Sequence, residues 1–179
     1  KKKFLIIGDS HANDFHQILI SSPKIQKNRE FILLGSDIQI YFESLNQLKE
    51  LEIFKQAEYI ILTSDYTYPE ILLLDDVIKS LINEKKKVML AGHAADFRVI
   101  DMPLKDVLNN SKKILNKNQI EKKLYQILDK IKVNENQKIE QIAKNNNIFY
   151  IDKLNFACNR SEETCYATYN NSPINHDKT

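Results

Sequence analysis

The stretch Phe4-Leu5-Ile6-Ile7-Gly8-Asp9-Ser10-His11 decides the fold of this chain. Its consecutive apolar residues read as a short strand buried on both faces, the habit of a parallel sheet. Gly8 lets the backbone turn where that strand ends. Directly beyond it, Ala12, Phe15, Ile18 and Leu19 recur at helical spacing, which predicts a helix packed back onto the strand. Strand, tight turn and helix in immediate succession open a β-α-β unit.

The same alternation continues outward. Further strands are expected at Phe31–Leu34, Tyr59–Thr63, Lys87–Ala91 and Ile148–Ile151, all short and rich in Ile, Leu, Val or aromatic residues. Ser44-Leu45-Asn46-Gln47 has the spacing of a capping box, and Leu48 and Leu51 carry that helix to about Ala57. Pro69 suits the first helical position, where its missing N–H costs nothing, and its helix is expected to turn Leu72, Leu73, Val77, Ile78, Leu81 and Ile82 inward. The run Lys85-Lys86-Lys87 at its end reads as compensation of the helix's negative end. One long helix is predicted from about Lys117 to Lys144, with Ile120, Leu124, Ile127, Leu128 and Ile131 on one face and Asn145-Asn146-Asn147 as its stop. Ser36–Glu43 and Phe97–Lys113 carry no clear period, and irregular structure is expected from Asp152 onward. The fold class is therefore α/β: a flavodoxin-like three-layer α/β/α arrangement with a five-stranded parallel sheet, as one domain over residues 1–179.

Bulk properties narrow the partners. With 26 basic against 24 acidic residues, mixed along the chain, no face is set aside for phosphates, which argues against nucleic acid. No apolar run is long enough to span a bilayer, no signal peptide is present, and the chain opens Lys1-Lys2-Lys3 without Met. It reads as a piece excised from a longer protein. Cys158 and Cys165 lie close in sequence. A small disulfide loop and a pair of free thiols fit that spacing equally, whereas a zinc site lacks ligands, His176 alone being near.

In open α/β sheets, ligands bind outside the carboxyl ends of the strands. The residues just past each predicted strand are Gly8-Asp9-Ser10-His11, Gly35-Ser36, Ser64-Asp65 and Gly92-His93, with His176-Asp177 beyond the last. Ser10 sits where a helix N-terminus aims its N–H groups, a place that stabilises a developing oxyanion. The blander alternative makes Ser10 or Asp9 a simple helix cap. For Gly35 the blander alternative is an ordinary turn glycine, and the functional reading is the one preferred.

Gly8-Asp9-Ser10-His11 after an opening apolar strand resembles the first block of the SGNH hydrolase superfamily. More narrowly, it resembles the SGNH domains fused to integral-membrane carbohydrate O-acyltransferases. Ala57-Glu58-Tyr59-Ile60-Ile61-Leu62, Lys86–Leu90, Ile148–Asp152 and the later cysteine pair extend the likeness over nearly the whole chain. The resemblance implies Ser10 as the nucleophile, with its own N–H, that of Gly35 and the Ser64 hydroxyl as the oxyanion hole. Ser64 stands where the family has Asn, and no glycine precedes it. The family's last block, Asp-x-x-His, supplies a triad in which Asp orients the base. Here Asp177-Lys178-Thr179 matches Asp-x-x and the expected His would follow Thr179, leaving His176 as the fallback. Asp9, His11, Asp65 and His93 are candidate site-lining residues. His93 is also an alternative base or a structural hydrogen-bonding residue, and His16 is expected on a helix surface.

What the resemblance implies is a serine-dependent O-acyltransferase. It would move an acyl group, acetyl foremost, onto a hydroxyl of a cell-surface carbohydrate such as lipopolysaccharide. The partners implied are that carbohydrate acceptor and an integral-membrane acyltransferase domain of the same chain. No bound cofactor or metal is expected, the acyl donor being acetyl-CoA working through the membrane domain. The expected location is extracytoplasmic, at the periplasmic face of a bacterial inner membrane. Two alternatives stay open: a carbohydrate O-acetyl esterase of the same fold, and a flavodoxin-like binding domain without covalent chemistry.

Overall fold

The computed structural model describes residues 1–35, 45–97 and 116–166, with the backbone of 168–169 and 172–173. Contacts divide the chain into two compact units, one of Lys1–His93 with Glu135–Ile151, the other of Ala94–Asn134 with Asp152–Thr179.

The first unit carries β1 (Lys2–Gly8), β2 (Arg29–Gly35), β3 (Tyr59–Leu62), β4 (Lys87–Ala91) and β5 (Phe149–Ile151). They form the expected five-stranded sheet in the order β2-β1-β3-β4-β5, with every neighbouring pair parallel. Side-chain alternation along the strands builds two cores. Leu5, Ile7, Ile60, Leu62, Val88 and Leu90 point to one face. There they meet α3 (Leu45–Glu50), α4 (Glu52–Gln56), α5 (Tyr68–Asn83) and, from α7 (Lys130–Asn145), Ile139 and Ala143. Phe4, Ile6 and Ile61 point to the other face, against Ala12 and Phe15 of α1 (Ser10–Ser21). The short α2 (Pro23–Gln26) follows α1. Helices on both faces make this unit the predicted α/β/α sandwich. Each fully buried Ile or Leu in it contributes about 1.5–3 kcal/mol relative to exposure.

Several local expectations need correction. The helix expected to run to Ala57 is two, because Leu51 takes an extended backbone (ψ 131°) between α3 and α4. Ser44, with its proposed capping box, and the segments Ser36–Glu43 and 98–113 lie outside the described residues. On α5, the inward face is Ile71, Leu74, Val77, Ile78 and Leu81, whereas Leu72, Leu73 and Ile82 are exposed. Val77, Ile78 and Leu81 are buried as expected, but the unbroken apolar run Ile71–Leu74 leaves the helix phase undetermined at its start. Thr67 and Glu70 cap this helix reciprocally, and Pro69 lies in its first turn. Of the run Lys85-Lys86-Lys87, two residues serve elements other than α5. Lys86 Nζ donates to the carbonyls of Phe54 (2.7 Å) and Ala57 (2.8 Å), closing the C-terminal end of α4. Lys87 already belongs to β4. His16 is half-buried rather than on the helix surface, with Nε2 3.3 Å from the Phe31 carbonyl oxygen.

In the second unit, the long predicted helix is broken: α6 (Lys117–Gln126) ends there and α7 starts anew at Lys130. Leu128 pairs with Phe97 in an isolated bridge. Asp129 N–H donates to the Asp96 carbonyl (2.8 Å), and its carboxylate accepts from Ile131 N–H (2.9 Å), starting α7. Ile131 is consequently exposed, against expectation. A small core gathers Phe97, Ile120, Leu124, Leu128 and Leu154 around the disulfide between Cys158 and Cys165. That bond lies within the antiparallel pairing of β6 (Cys158–Asn159) with β7 (Thr164–Cys165). A second short pair, β8 (Thr168–Tyr169) with β9 (Ser172–Pro173), follows. Among the described residues, no helix is long and apolar enough to cross a membrane.

Candidate active site

In the order β2-β1-β3-β4-β5 the chain leaves β1 first to one side and then to the other. The carboxyl ends of β1 and β3 therefore flank the switch point, where an open parallel sheet offers a crevice. Gly8 ends β1 there. A Cβ on Gly8 would collide with the carbonyl oxygen of Thr63 and with Ala12 Cβ, so only glycine lets β1, β3 and α1 meet this closely.

Asp9 follows as the N-cap of α1, its Oδ1 accepting from His11 N–H at 2.9 Å. The capping alternative from the sequence thus holds for Asp9. It leaves Ser10 free to be the first residue of α1, exposed, with His11 exposed beside it. Among the described residues nothing bonds Ser10 Oγ. The helix N-terminus behind it adds partial positive charge where an oxyanion would develop.

Asp9 has a second engagement. Its Oδ2 accepts from the backbone N–H of Asp65 at 2.9 Å, tying the exit of β3 to the start of α1. Asp65 Oδ1 in turn lies 3.0 Å from His93 Nδ1. His93 Nε2 stands 3.3 Å from Glu135 Oε2, within ion-pair range but off the hydrogen-bonding direction. The main chain of His93 is clasped by Asn136, whose Oδ1 accepts from His93 N–H (2.6 Å) and whose Nδ2 donates to the His93 carbonyl (3.1 Å). Gly92 permits this clasp, since a Cβ there would run into the Tyr150 hydroxyl and the Asn136 amide oxygen. Tyr66 packs its ring edge-on to His93 at 5.9 Å between centroids and is fully buried. Burial, with the charges of Asp9, Glu70 and Tyr150 behind it, raises the Tyr66 hydroxyl well above the usual tyrosine range, so the group stays neutral.

The structure thus brings together Ser10, Asp9, Asp65 and His93, from the ends of β1, β3 and β4. Gly35 closes β2 in an exposed position, in register with Gly8. Ser64 is buried at the exit of β3. His176 and Asp177 lie outside the described residues. Cys158 and Cys165 belong to the other unit. Among the described residues, no cluster of His, Cys, Asp and Glu side chains is arranged to hold a metal. Sequence reasoning missed Glu135, Asn136 and Tyr66. Asn136 did carry a signal, since it shares the helical stripe of Ile139 and Ala143, and a polar residue inside an apolar stripe marks a buried hydrogen-bonding role.

No family model and no curated protein matches this chain. Solved structures do. The periplasmic domain of a lipopolysaccharide acetyltransferase from Salmonella ser. Paratyphi A superposes with a TM-score of 0.64 at 17% identity, covering 97% of this chain and 73% of that one. A GDSL-like lipase from Bacteroides thetaiotaomicron matches with a TM-score of 0.56 at 14% identity, over 97% and 80% of the two chains. An acetyl xylan esterase matches with a TM-score of 0.54 at 16% identity, over 86% and 78%. At such identities the likeness speaks for fold: the chain has the α/β fold of the SGNH/GDSL hydrolases, as its opening block implied.

Proposed function

We propose that this chain is a serine-dependent acyl-transfer domain in which Ser10 carries the acyl group. The observation that bears most weight is Ser10 itself: an exposed serine at the first turn of a helix, at the switch point of a parallel sheet, with its neighbour Asp9 taking the cap. Ser10 Oγ attacks the carbonyl carbon of an acyl donor, and its proton passes to a histidine base. We assign that base to the segment around Asp177, where His176 is the candidate within this sequence. The tetrahedral oxyanion is held by the N–H groups of Ser10 and Gly35, with the Ser64 hydroxyl as third donor. Collapse expels the donor's leaving group, protonated by the same histidine, and leaves an ester on Ser10. A carbohydrate hydroxyl, deprotonated by the histidine, then attacks that ester and frees the serine.

The fold shared with the periplasmic domain of a lipopolysaccharide acetyltransferase supports transfer of an acetyl group to a cell-surface carbohydrate at a periplasmic face; a membrane domain that supplies the acyl group belongs to the same proposal. A second reading, hydrolysis of an acetyl ester, differs only in the acceptor, and the likeness to an acetyl xylan esterase favours it. The test is labelling of the full-length protein with a fluorophosphonate. Ser10 is expected to react and Ser10→Ala to remain unlabelled; absence of labelling in the folded wild type refutes the proposal. Product analysis with and without added glycan acceptor then separates acetylated glycan from free acetate.

A further inference from the structure

We infer that His93 is a positioning residue, gripped between Asp65 and Glu135 so that its imidazole fixes the β3 exit against the turn that carries Ser10. The inference rests on the reading of Ser10 as nucleophile. Four elements are linked in series: Glu135 of α7 to His93 after β4 (3.3 Å), His93 to Asp65 after β3 (3.0 Å), Asp65 N–H to Asp9 (2.9 Å), and Asp9 to the first turn of α1 (2.9 Å). Removing the imidazole takes away one anchor of the Asp65 side chain and so loosens the main chain around Ser64, whose hydroxyl is the proposed third oxyanion donor.

The ring is held too firmly to serve the other roles open to it. Asn136 clasps the His93 backbone on both sides, the Tyr66 ring closes one edge, and the side chain is 1% exposed. A substrate contact needs an accessible edge, and a base for Ser10 needs a nitrogen turned toward it. Both ring nitrogens of His93 face carboxylates instead. A carboxylate only accepts, so the imidazole acts here as the donor that orients Asp65.

The test uses full-length protein with His93→Leu, which removes the donor, and His93→Asn, which keeps an N–H near the place of Nδ1. Turnover of an acyl ester is measured together with hydrogen exchange at the Asp65 amide. For His93→Leu, kcat is expected to fall about ten- to hundredfold, as small misplacements do. KM stays within about threefold, since no substrate contact is lost, and the Asp65 amide loses protection. His93→Asn is expected to restore most of both. Unchanged protection at Asp65 in a folded His93→Leu, or His93→Asn no better than His93→Leu, overturns the inference. If wild type shows no Ser10-dependent turnover, the acyl-transfer reading fails, while the exchange measurement still decides the positioning role. If His93→Leu does not fold, Glu135→Gln takes its place: faster exchange at Asp65 with a lower kcat is expected, and wild-type values for both overturn the inference.

Discussion

A single carboxylate joins two strand ends: Asp9 Oδ2 accepts the N–H of Asp65 while Asp9 Oδ1 accepts the N–H of His11, each at 2.9 Å. The turn holding Ser10 is thereby defined by one side chain and not by backbone geometry alone. Asp9→Asn keeps only one oxygen, and its amide NH2 must face a donor. With the His11 cap retained, the lost bond to Asp65 costs about 1–2 kcal/mol. Asp9→Ala forfeits the cap as well, about 1 kcal/mol more. Urea unfolding measures both, and an Asn variant as stable as wild type removes the case for a two-ended bridge.

The glycines at the ends of β1 and β2 lie side by side in the register, yet they are expected to respond oppositely to the same change. At Gly8 an added methyl meets the Thr63 carbonyl and Ala12, with backbone on one side and packed helix on the other. Gly8→Ala is expected to cost about 2–3 kcal/mol, as overpacking does. At Gly35 the nearest heavy atom to an added methyl among the described residues, Leu33 Cδ2, is 4.0 Å away. Gly35→Ala therefore folds with stability within about 0.5 kcal/mol of wild type. A similar loss of melting temperature in the two variants contradicts this account.

The sheet and the turn at Ser10 were legible because both rest on local patterns. Phe4–Ile7 is apolar on both faces, and Gly8 is followed at once by helical spacing. The helix ends and phases were not legible, because distant partners set them. Leu51 breaks one helix, and Asp129 restarts another by bonding Asp96. Lys86 reads from sequence as compensation for the negative end of the preceding helix, yet it serves the carbonyls of Phe54 and Ala57, some thirty residues earlier in the chain. The same holds for the candidate site. Ser10 and Asp9 could be placed from sequence, whereas the contacts of His93 with Asp65, Glu135 and Asn136 join residues 28, 42 and 43 positions apart and leave no local pattern.

The disulfide between Cys158 and Cys165 closes a short loop, with a sequence separation of 7, inside the small second core. Constraining a loop of that size in the unfolded chain contributes about 2–3 kcal/mol. Replacing both cysteines with alanine, or reducing the protein, is expected to lower the unfolding free energy by about that amount. Comparison of urea curves under oxidising and reducing conditions checks it, and coincident curves refute a structural role for the bond.

Tyr66 gives a pH signature with a determined sign. Its hydroxyl is buried without a hydrogen-bond partner among the described residues. Burial chiefly, then the nearby Asp9, Glu70 and Tyr150 charges, raises its proton affinity. In the unfolded chain a tyrosine gives up its proton near pH 10, while folded Tyr66 holds it to higher pH. Above about pH 10 the folded state binds the extra proton, so Tyr66's contribution to stability is complete below that pH and declines as pH rises. Tyr66→Phe deletes the group that drives this decline, and at neutral pH the loss of an unpartnered hydroxyl costs less than about 0.5 kcal/mol. Unfolding free energies of both proteins from neutral to strongly alkaline pH are expected to diverge above about pH 10 in favour of the variant. Parallel curves place the alkaline loss elsewhere. Absorbance titration supplies an independent check: among the eight tyrosines Tyr66 should ionise only with unfolding, and that late step should be missing from the titration of Tyr66→Phe.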